Sequence, residues 1–228
     1  MSAPEFDPYS KDYKSLVNDS LAFSGFDVDY FTRVKTEYLK DILQTSFNRT
    51  DVDVLDLGCG IGNYHAPLRP SFRSLSGIDV SSESIKIAKS RNADVSYSDF
   101  DGATIPFEAA SFDVVFAVCV FHHVPLNGRD RLIQEARRVL RAGGIMVIFE
   151  HNPINPLTMR VVNRCVFDKD AILLKSREAE ALLVDGGFQD VRSRFILTIP
   201  SFNKMTRALD QAFGRLPVGA QYFSMGRV

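Results

Sequence analysis

The sequence has no tryptophan, and charge excess, long apolar runs and paired cysteines are missing with it. Its 27 basic and 28 acidic residues leave a formal net charge of -1. No field large enough to gather nucleic acid follows from that balance. No apolar run approaches the ~18 residues of a membrane span, and Met1 to Ser20 carries Asp, Glu, Lys and Tyr where a secretory leader would be apolar. A cytoplasmic chain without a membrane span is expected. The three cysteines, Cys59, Cys119 and Cys165, have no Cys-x-x-Cys spacing, which argues against a disulfide framework and a zinc ribbon and suits reduced thiols. What is abundant is phenylalanine, 18 residues, with 7 tyrosines; such rings fill cores and line apolar pockets. At 228 residues the chain is sized for one compact domain.

The most informative stretch is Val52-Asp53-Val54-Leu55-Asp56-Leu57-Gly58-Cys59-Gly60-Ile61-Gly62-Asn63. An apolar, β-branched run followed by glycines at alternate positions is what a buried parallel strand needs when it turns sharply into a ligand-contacting loop. Dinucleotide loops use Gly-x-Gly-x-x-Gly, and Asn63 stands where that pattern wants its third glycine. This disfavours an NAD-dependent oxidoreductase. There is also no Gly-Lys-Ser or Gly-Lys-Thr to hold a triphosphate. A nucleoside without phosphates fits better. Asp79 follows Gly58 by 21 positions, close to the ~20 at which an acidic residue reaches ribose hydroxyls. The competing role for Asp79 is to cap a helix beginning near Ser81.

Hydrophobic periodicity organises the rest. From Asp29, Phe31, Val34, Tyr38, Leu39, Ile42 and Leu43 recur at helical intervals, with Arg33, Lys35, Glu37 and Lys40 between them. A helix is expected from Asn63 to Leu68, and strands at Ser74–Ile78, Val95–Phe100 and Phe112–Cys119. A helix over Arg129–Leu140 should end at Gly143-Gly144 with an αL cap, ahead of a strand at Ile145–Phe149. A helix at Ser176–Asp185, strands at Phe188–Thr198 and Ala220–Met225, and a short helix between 200 and 216 complete the pattern.

The glycine stretch closely resembles the first motif of the class I S-adenosylmethionine (SAM) methyltransferases. Residues 112–150 resemble the same family a second time: Phe112-Asp113-Val114-Val115, the pair His122-His123, then Arg138-Val139-Leu140-Arg141-Ala142-Gly143-Gly144, with Arg141-Ala142 where Lys-Pro is common. The resemblance implies an α/β fold, a Rossmann-like seven-stranded, mostly parallel sheet with helices on both faces, and an N-terminal helical cap over residues 1–47. Residues 48–228 would then be the SAM-binding core, with a substrate-pocket insertion at about 151–175. Tyr9, Tyr13 and Tyr30 are candidates to line the cap. The implied cofactor is SAM, held by Gly58, Cys59, Gly60 and Asn63 in the loop, Asp79 and Val80 after the second strand, and Cys119 after the fourth. An acidic residue, Asp99 or Asp101, would accept from the adenine amino group, with Phe100 placed to stack. Asp56 would orient the cofactor's ammonium or tie down the loop.

All four histidines, His65, His122, His123 and His151, fall just after strands, where open α/β sheets bind ligands. A methyl sulfonium is already activated, so the protein must mainly align an acceptor and, for a hydroxyl or ammonium, remove a proton. His122, His123 and His151 are the candidate bases, with Glu150 as alternative base or orienter. An extended backbone would let only one of the adjacent pair face the cleft. No acidic residue stands at ligand spacing from these histidines, so no metal is expected. The reading is methyl transfer to an O, N or C atom of a small-molecule acceptor (natural product, glycan or lipid-linked intermediate) by a monomer or homodimer. A SAM-binding partner or regulatory protein without transferase activity is the alternative. A nucleic-acid methyltransferase would carry Asn-Pro-Pro-Tyr or Asp-Pro-Pro-Tyr where this chain has Val120-Phe121-His122-His123.

Overall fold

The structure is a computed structural model that describes residues 13–47, 49, 51–200 and 203–228. Its strands are β1 (Asp53–Leu57), β2 (Ser74–Asp79), β3 (Ser96–Asp99), β4 (Phe112–Val118), β5 (Leu140–His151), β6 (Gln189–Ile196) and β7 (Gln221–Arg227). They form one seven-stranded sheet in the order β3-β2-β1-β4-β5-β7-β6. Neighbours from β3 to β5 run parallel, and β7 lies antiparallel between β5 and β6. The chain leaves β1 outward through β2 to β3, then recrosses to β4 on the other side of β1. That reversal opens a crevice at the carboxyl ends of β1 and β4.

Helices cover both faces because the central strands are apolar on both. Along β1, β4 and β5, Val54, Val114, Phe116, Ile145, Val147 and Phe149 point to one face, and Leu55, Leu57, Val115, Ala117, Met146 and Ile148 to the other. On the first face lie α1 (Tyr13–Leu21), α2 (Val28–Ser46), α3 (His65–Leu68) and α4 (Ser82–Arg91). The predicted stripe of α2 is buried at Val34, Tyr38, Leu39, Ile42 and Leu43, each worth about 1.5–3 kcal/mol. Asp27 caps this helix by accepting from the Tyr30 N–H. On the second face α5 (Leu126–Val139) buries Leu132, Ile133, Ala136 and Val139, and α7 (Ser176–Asp185) buries Ala179 and Leu183. The segment between β5 and α7 carries α6 (Pro156–Val162) and a 3-10 turn, Val166–Asp168; α8 (Lys204–Ala212) connects β6 to β7.

The predicted elements form, with three corrections. Gly143-Gly144 does not cap α5, which ends four residues earlier at an extended Leu140. The glycines instead sit in a bulge, where β4 advances from Phe112 to Val114 while β5 advances from Leu140 to Ile145. Gly143 takes φ +76°, and a Cβ on Gly144 would come within 2.9 Å of the Asp113 carbonyl oxygen, so two backbones meet there. The helix expected from Asn63 begins at His65, after two loop turns. Lys35, expected on the polar side of α2, is buried.

Candidate functional site

The glycine loop rises from β1 and folds back over β2. The N–H groups of Gly58 and Cys59 both donate to the Ile78 carbonyl, at 2.8 and 2.9 Å. Gly60 adopts φ +50°, its N–H donates to Asp79 Oδ2 at 2.7 Å, and a Cβ built on it would meet nothing within 4 Å. That backbone therefore faces open space. Asp79 Oδ1 accepts from the Ser81 N–H at 2.9 Å, while Ser81 itself caps α4 through the Ser84 N–H. Asp79 is therefore not the cap of that helix. Burial raises its carboxyl above the usual range, against the two backbone donors.

At the carboxyl end of β4, Cys119 sits at φ +57°, a left-handed conformation uncommon for a side-chain-bearing residue, with its N–H on the Phe149 carbonyl at 2.8 Å. A 3-10 turn, Phe121–His123, follows at once. This turn, and not an extended strand, brings His122 and His123 to the same side with ring centroids 4.1 Å apart. His122 Nδ1 lies 2.5 Å from Glu150 Oε2, and the His151 ring is 5.4 Å from that of His122. Asp168, from the turn after α6, completes the cluster: its Oδ1 is 3.3 Å from His122 Nε2 and 3.5 Å from His123 Nε2.

Burial works against a charge on His122, but Glu150 and Asp168 outweigh it and hold the imidazole well above its usual range. Burial pulls the other two rings the opposite way, aided by His122: His123 to about 3 and His151 to about 4. Burial would lift the acids as well, yet His122 draws Glu150 below its usual value, and the neighbouring histidines bring Asp168 to about 2.

Loop and cluster open onto one cavity of about 700 Å³, within the ~300–1,000 Å³ of ligand pockets. Gly58, Cys59, Gly60, Asn63, Asp79, Val80, Phe100 and Cys119 line one part of its wall, and His122, His123, His151 and Asp168 another. Helices α1 and α2 close over it with Leu21, Phe26, Val28, Tyr30 and Phe31. His122 Nε2, Thr198 Oγ1 and Gln221 Oε1 are buried polar atoms of cavity-lining side chains that find no hydrogen-bond partner among the described residues. Native interiors leave few such atoms.

Comparison with known proteins is consistent with this geometry. A family model described as a methyltransferase domain matches residues 55–148, from the glycine loop through β5. The chain carries a class I SAM-dependent methyltransferase domain. Among curated relatives, the demethylmenaquinone methyltransferase of Thermotoga maritima is 31% identical over 152 residues, which are 66% of this chain and 61% of the relative. The sterol 4-C-methyltransferase of Caenorhabditis elegans is 28% identical over 106 residues, 44% of this chain and 31% of the relative. The chain thus spans between about a third and two thirds of the first curated relatives it matches. A solved SAM-dependent methyltransferase of T. maritima, titled a possible histamine N-methyltransferase, superposes with a TM-score of 0.70 over 97% of both chains at 19% identity, a likeness of fold.

The cavity wall fits SAM, the cofactor of such methyltransferase domains. It offers the open cradle over Gly60, a buried carboxylate with lone pairs to spare, and an aromatic ring at Phe100. Several expected residues stand elsewhere. Asp56 is off the cavity wall; its Oδ2 meets His65 Nε2 at 2.8 Å, and His65 Nδ1 meets the Tyr97 hydroxyl at 2.5 Å. Asp56 and His65 are 1% and 0% exposed, and their contacts tie β1, α3 and β3 together. Neither Asp99 nor Asp101 lines the cavity, although Phe100 and Gly102 do; Asp101 Oδ1 accepts from the Ala103 and Thr104 N–H groups. Glu150 is buried behind His122 and does not face the cavity. Of the cap candidates Tyr30 lines the cavity, while Tyr9 and the side chain of Tyr13 lie outside the described residues.

Sequence reasoning missed Asp168 and Lys35. Asp168 lies 45 residues beyond His123 with no motif around it, so only the fold brings them together. Lys35 is 5% exposed on the cavity wall, with its Nζ 3.7 Å from Cys119 Sγ and 6.0 Å from the centre of the Tyr64 ring. In sequence Lys35 stands among the charged positions of its helix, beside Arg33 and Glu37, and nothing local marks it as buried. Among the described residues no helix is long and apolar enough to cross a membrane.

Proposed function

We propose that the chain transfers a methyl group from SAM to an O, N or C atom of a small, largely apolar acceptor. The observation that carries this reading is that one cavity joins the glycine loop and Asp79 to a polar cluster through walls rich in Val, Leu, Phe and Tyr. SAM supplies an electrophilic methyl on a sulfonium, so the protein's work is binding, alignment and proton removal. Gly58, Cys59 and Gly60 let the backbone approach the ligand. Asp79 accepts from the ribose hydroxyls with the lone pairs its backbone donors leave. Phe100, Val80 and Gly102 flank the base, and the buried ammonium of Lys35 suits the carboxylate of the methionine portion. Helices through residue 47 serve as the cap, and residues 151–175 supply acceptor-side wall at Leu157, Val161 and Phe167.

The relatives named for sterol and demethylmenaquinone methylation agree with an apolar acceptor. On the polar side, His151 is the residue that takes the acceptor's proton: its ring lies on the cavity wall, with Nδ1 3.3 Å from Gln221 Nε2. Glu150 is a positioning residue, orienting His122 from behind. The free thiols fit a reducing cytoplasm.

Calorimetry of SAM, its demethylated product and NAD on the wild type and Asp79→Ala tests the reading. Binding of the first two, weakened at least about tenfold in the variant, supports it. Binding of NAD in their place, or of none of the three, overturns it. SAM binding without turnover of any apolar acceptor would leave a SAM-binding partner protein.

A further inference from the structure

The geometry points to a divalent-metal site, of zinc-like tetrahedral type, formed by His122, His123 and Asp168 on the acceptor side of the cavity. The ligand atoms of these three residues lie within 4.8 Å of one another. Two of the separations are informative. Around an ion with metal–ligand distances of about 2.0–2.1 Å, tetrahedral angles put neighbouring ligand atoms roughly 3.4 Å apart, whereas octahedral angles put them near 2.9 Å. His122 Nε2 and His123 Nε2 stand 3.3 and 3.5 Å from Asp168 Oδ1. Both are long for charge-assisted hydrogen bonds at about 2.7–2.9 Å. Both are right for ligands sharing an ion.

A second observation concerns how His122 itself is held. His122 is 2% exposed, and its Nε2 is a buried atom without a hydrogen-bond partner, aimed at the cluster. Its other nitrogen is held at 2.5 Å by Glu150, itself 1% exposed. This is the carboxylate–histidine arrangement by which proteins fix the tautomer and direction of a metal-ligating ring. Two buried carboxylates around three imidazoles also give the cluster the charge that a divalent cation balances. The sequence spacing argued against a metal because the carboxylate comes from the far side of the insertion.

Three protein ligands leave a fourth position, as in catalytic and not structural zinc sites. Because His122, His123 and Asp168 all line the cavity, that position is open to an oxygen or nitrogen of the acceptor. This purpose rests on the proposed methyl transfer; the existence of the site does not.

The test uses the full chain, stripped with a chelator and titrated with Zn²⁺ and with Co²⁺. One Zn²⁺ per chain, and the intense visible absorption of tetrahedral Co²⁺, are expected for the wild type. Asp168→Asn and His123→Ala should abolish both, and Glu150→Gln should weaken binding about 10–100-fold. Melting curves and SAM calorimetry on the same proteins report folding and the cofactor half separately. Variants that remain folded and bind Zn²⁺ like the wild type, or a wild type that binds none at micromolar ion, overturn the site. If SAM still binds in that case, the methyltransferase reading stands alone; if Zn²⁺ binds and SAM does not, the reverse holds.

Discussion

Gly60→Ala separates the cost of the loop's conformation from the cost to its ligand. Gly60 lies at φ +50°, so alanine there meets the left-handed penalty of about 1–2 kcal/mol. A chain of this size loses about 2–4 °C of melting temperature per kcal/mol, so a fall of roughly 2–8 °C is expected, with the fold intact. The added Cβ meets no protein atom within 4 Å and therefore projects into the cavity. If SAM packs against this backbone, a methyl inserted into the contact costs about 1–3 kcal/mol, or roughly 5- to 150-fold in affinity. Gly62→Ala is the control on the same loop. Its φ is +71°, but its Cβ would lie 2.7 Å from the Tyr97 hydroxyl and 2.8 Å from Asn92 Nδ2, inside the protein and off the cavity wall. It should destabilise more and weaken SAM less. Paired melting and calorimetry decide the matter: SAM affinity within about twofold of wild type in Gly60→Ala, or a larger loss in Gly62→Ala, would refute the cradle.

Three further outcomes follow from the contacts. His65→Ala strands the buried Asp56 carboxylate without its partner and should cost about 3–5 kcal/mol in urea unfolding; a change confined to SAM affinity would show that the pair is a ligand contact after all. Asp53 accepts from Arg73, Ser74 and Arg141, and the Arg73 guanidinium above all holds its carboxyl well below the usual range despite burial. A depressed folded-state value gives stability that is present above the unfolded pKa of about 3.9 and is lost as pH falls below it, because the unfolded chain takes up the proton first. Asp53→Asn should therefore flatten the acid limb of the stability profile without touching SAM affinity; an unchanged limb refutes the argument. Asp210→Ala removes an acceptor for the Tyr38 hydroxyl and the N–H groups of Leu197, Thr198 and Ile199, and should cost about 1–3 kcal/mol. Hydrogen exchange should quicken at those three amides first.

The sheet and the glycine-loop wall of the cavity were legible because their signals are local. Strand β4 declares itself by a run that is wholly apolar after Asp113, and the loop after β1 by glycines that conformation and close approach both demand. What stayed hidden was set by distant contacts. Nothing near Asp56 in sequence reveals that α3 turns His65 inward to meet it, and the four-histidine pattern therefore placed one ring too many at the ligand. The pair His122-His123 was visible, but its shared direction depends on the Cys119 kink and the turn after it. Lys35 interrupts a helical stripe that reads as apolar on one side and charged on the other; its burial is legible only once β4 and the cavity lie beneath it. Gly143-Gly144 carried a sound local signal for a helix stop, which the bulge between β4 and β5 overrode.

The two ends of the sheet are built to opposite rules. At the amino end, Asp53 and Asp113 are held by Arg49, Arg73 and Arg141; Arg141 bridges both carboxylates at 3.0 and 2.9 Å, and Arg49 meets Asp113 at 2.6 Å. Partly exposed guanidinium groups there satisfy buried acids, and the pairing stabilises. At the carboxyl end the sequence keeps a left-handed cysteine, a buried lysine whose Nζ lies 3.7 Å from that cysteine's sulfur and, among the described residues, buried polar atoms with no hydrogen-bond partner. Each disfavours folding, and none assists packing. Strain and orphaned polarity gathered on one cavity wall, opposite an end where carboxylates are paired, have the distribution expected if the missing partners are ligand atoms. The asymmetry supports the functional assignment independently of any single residue's role.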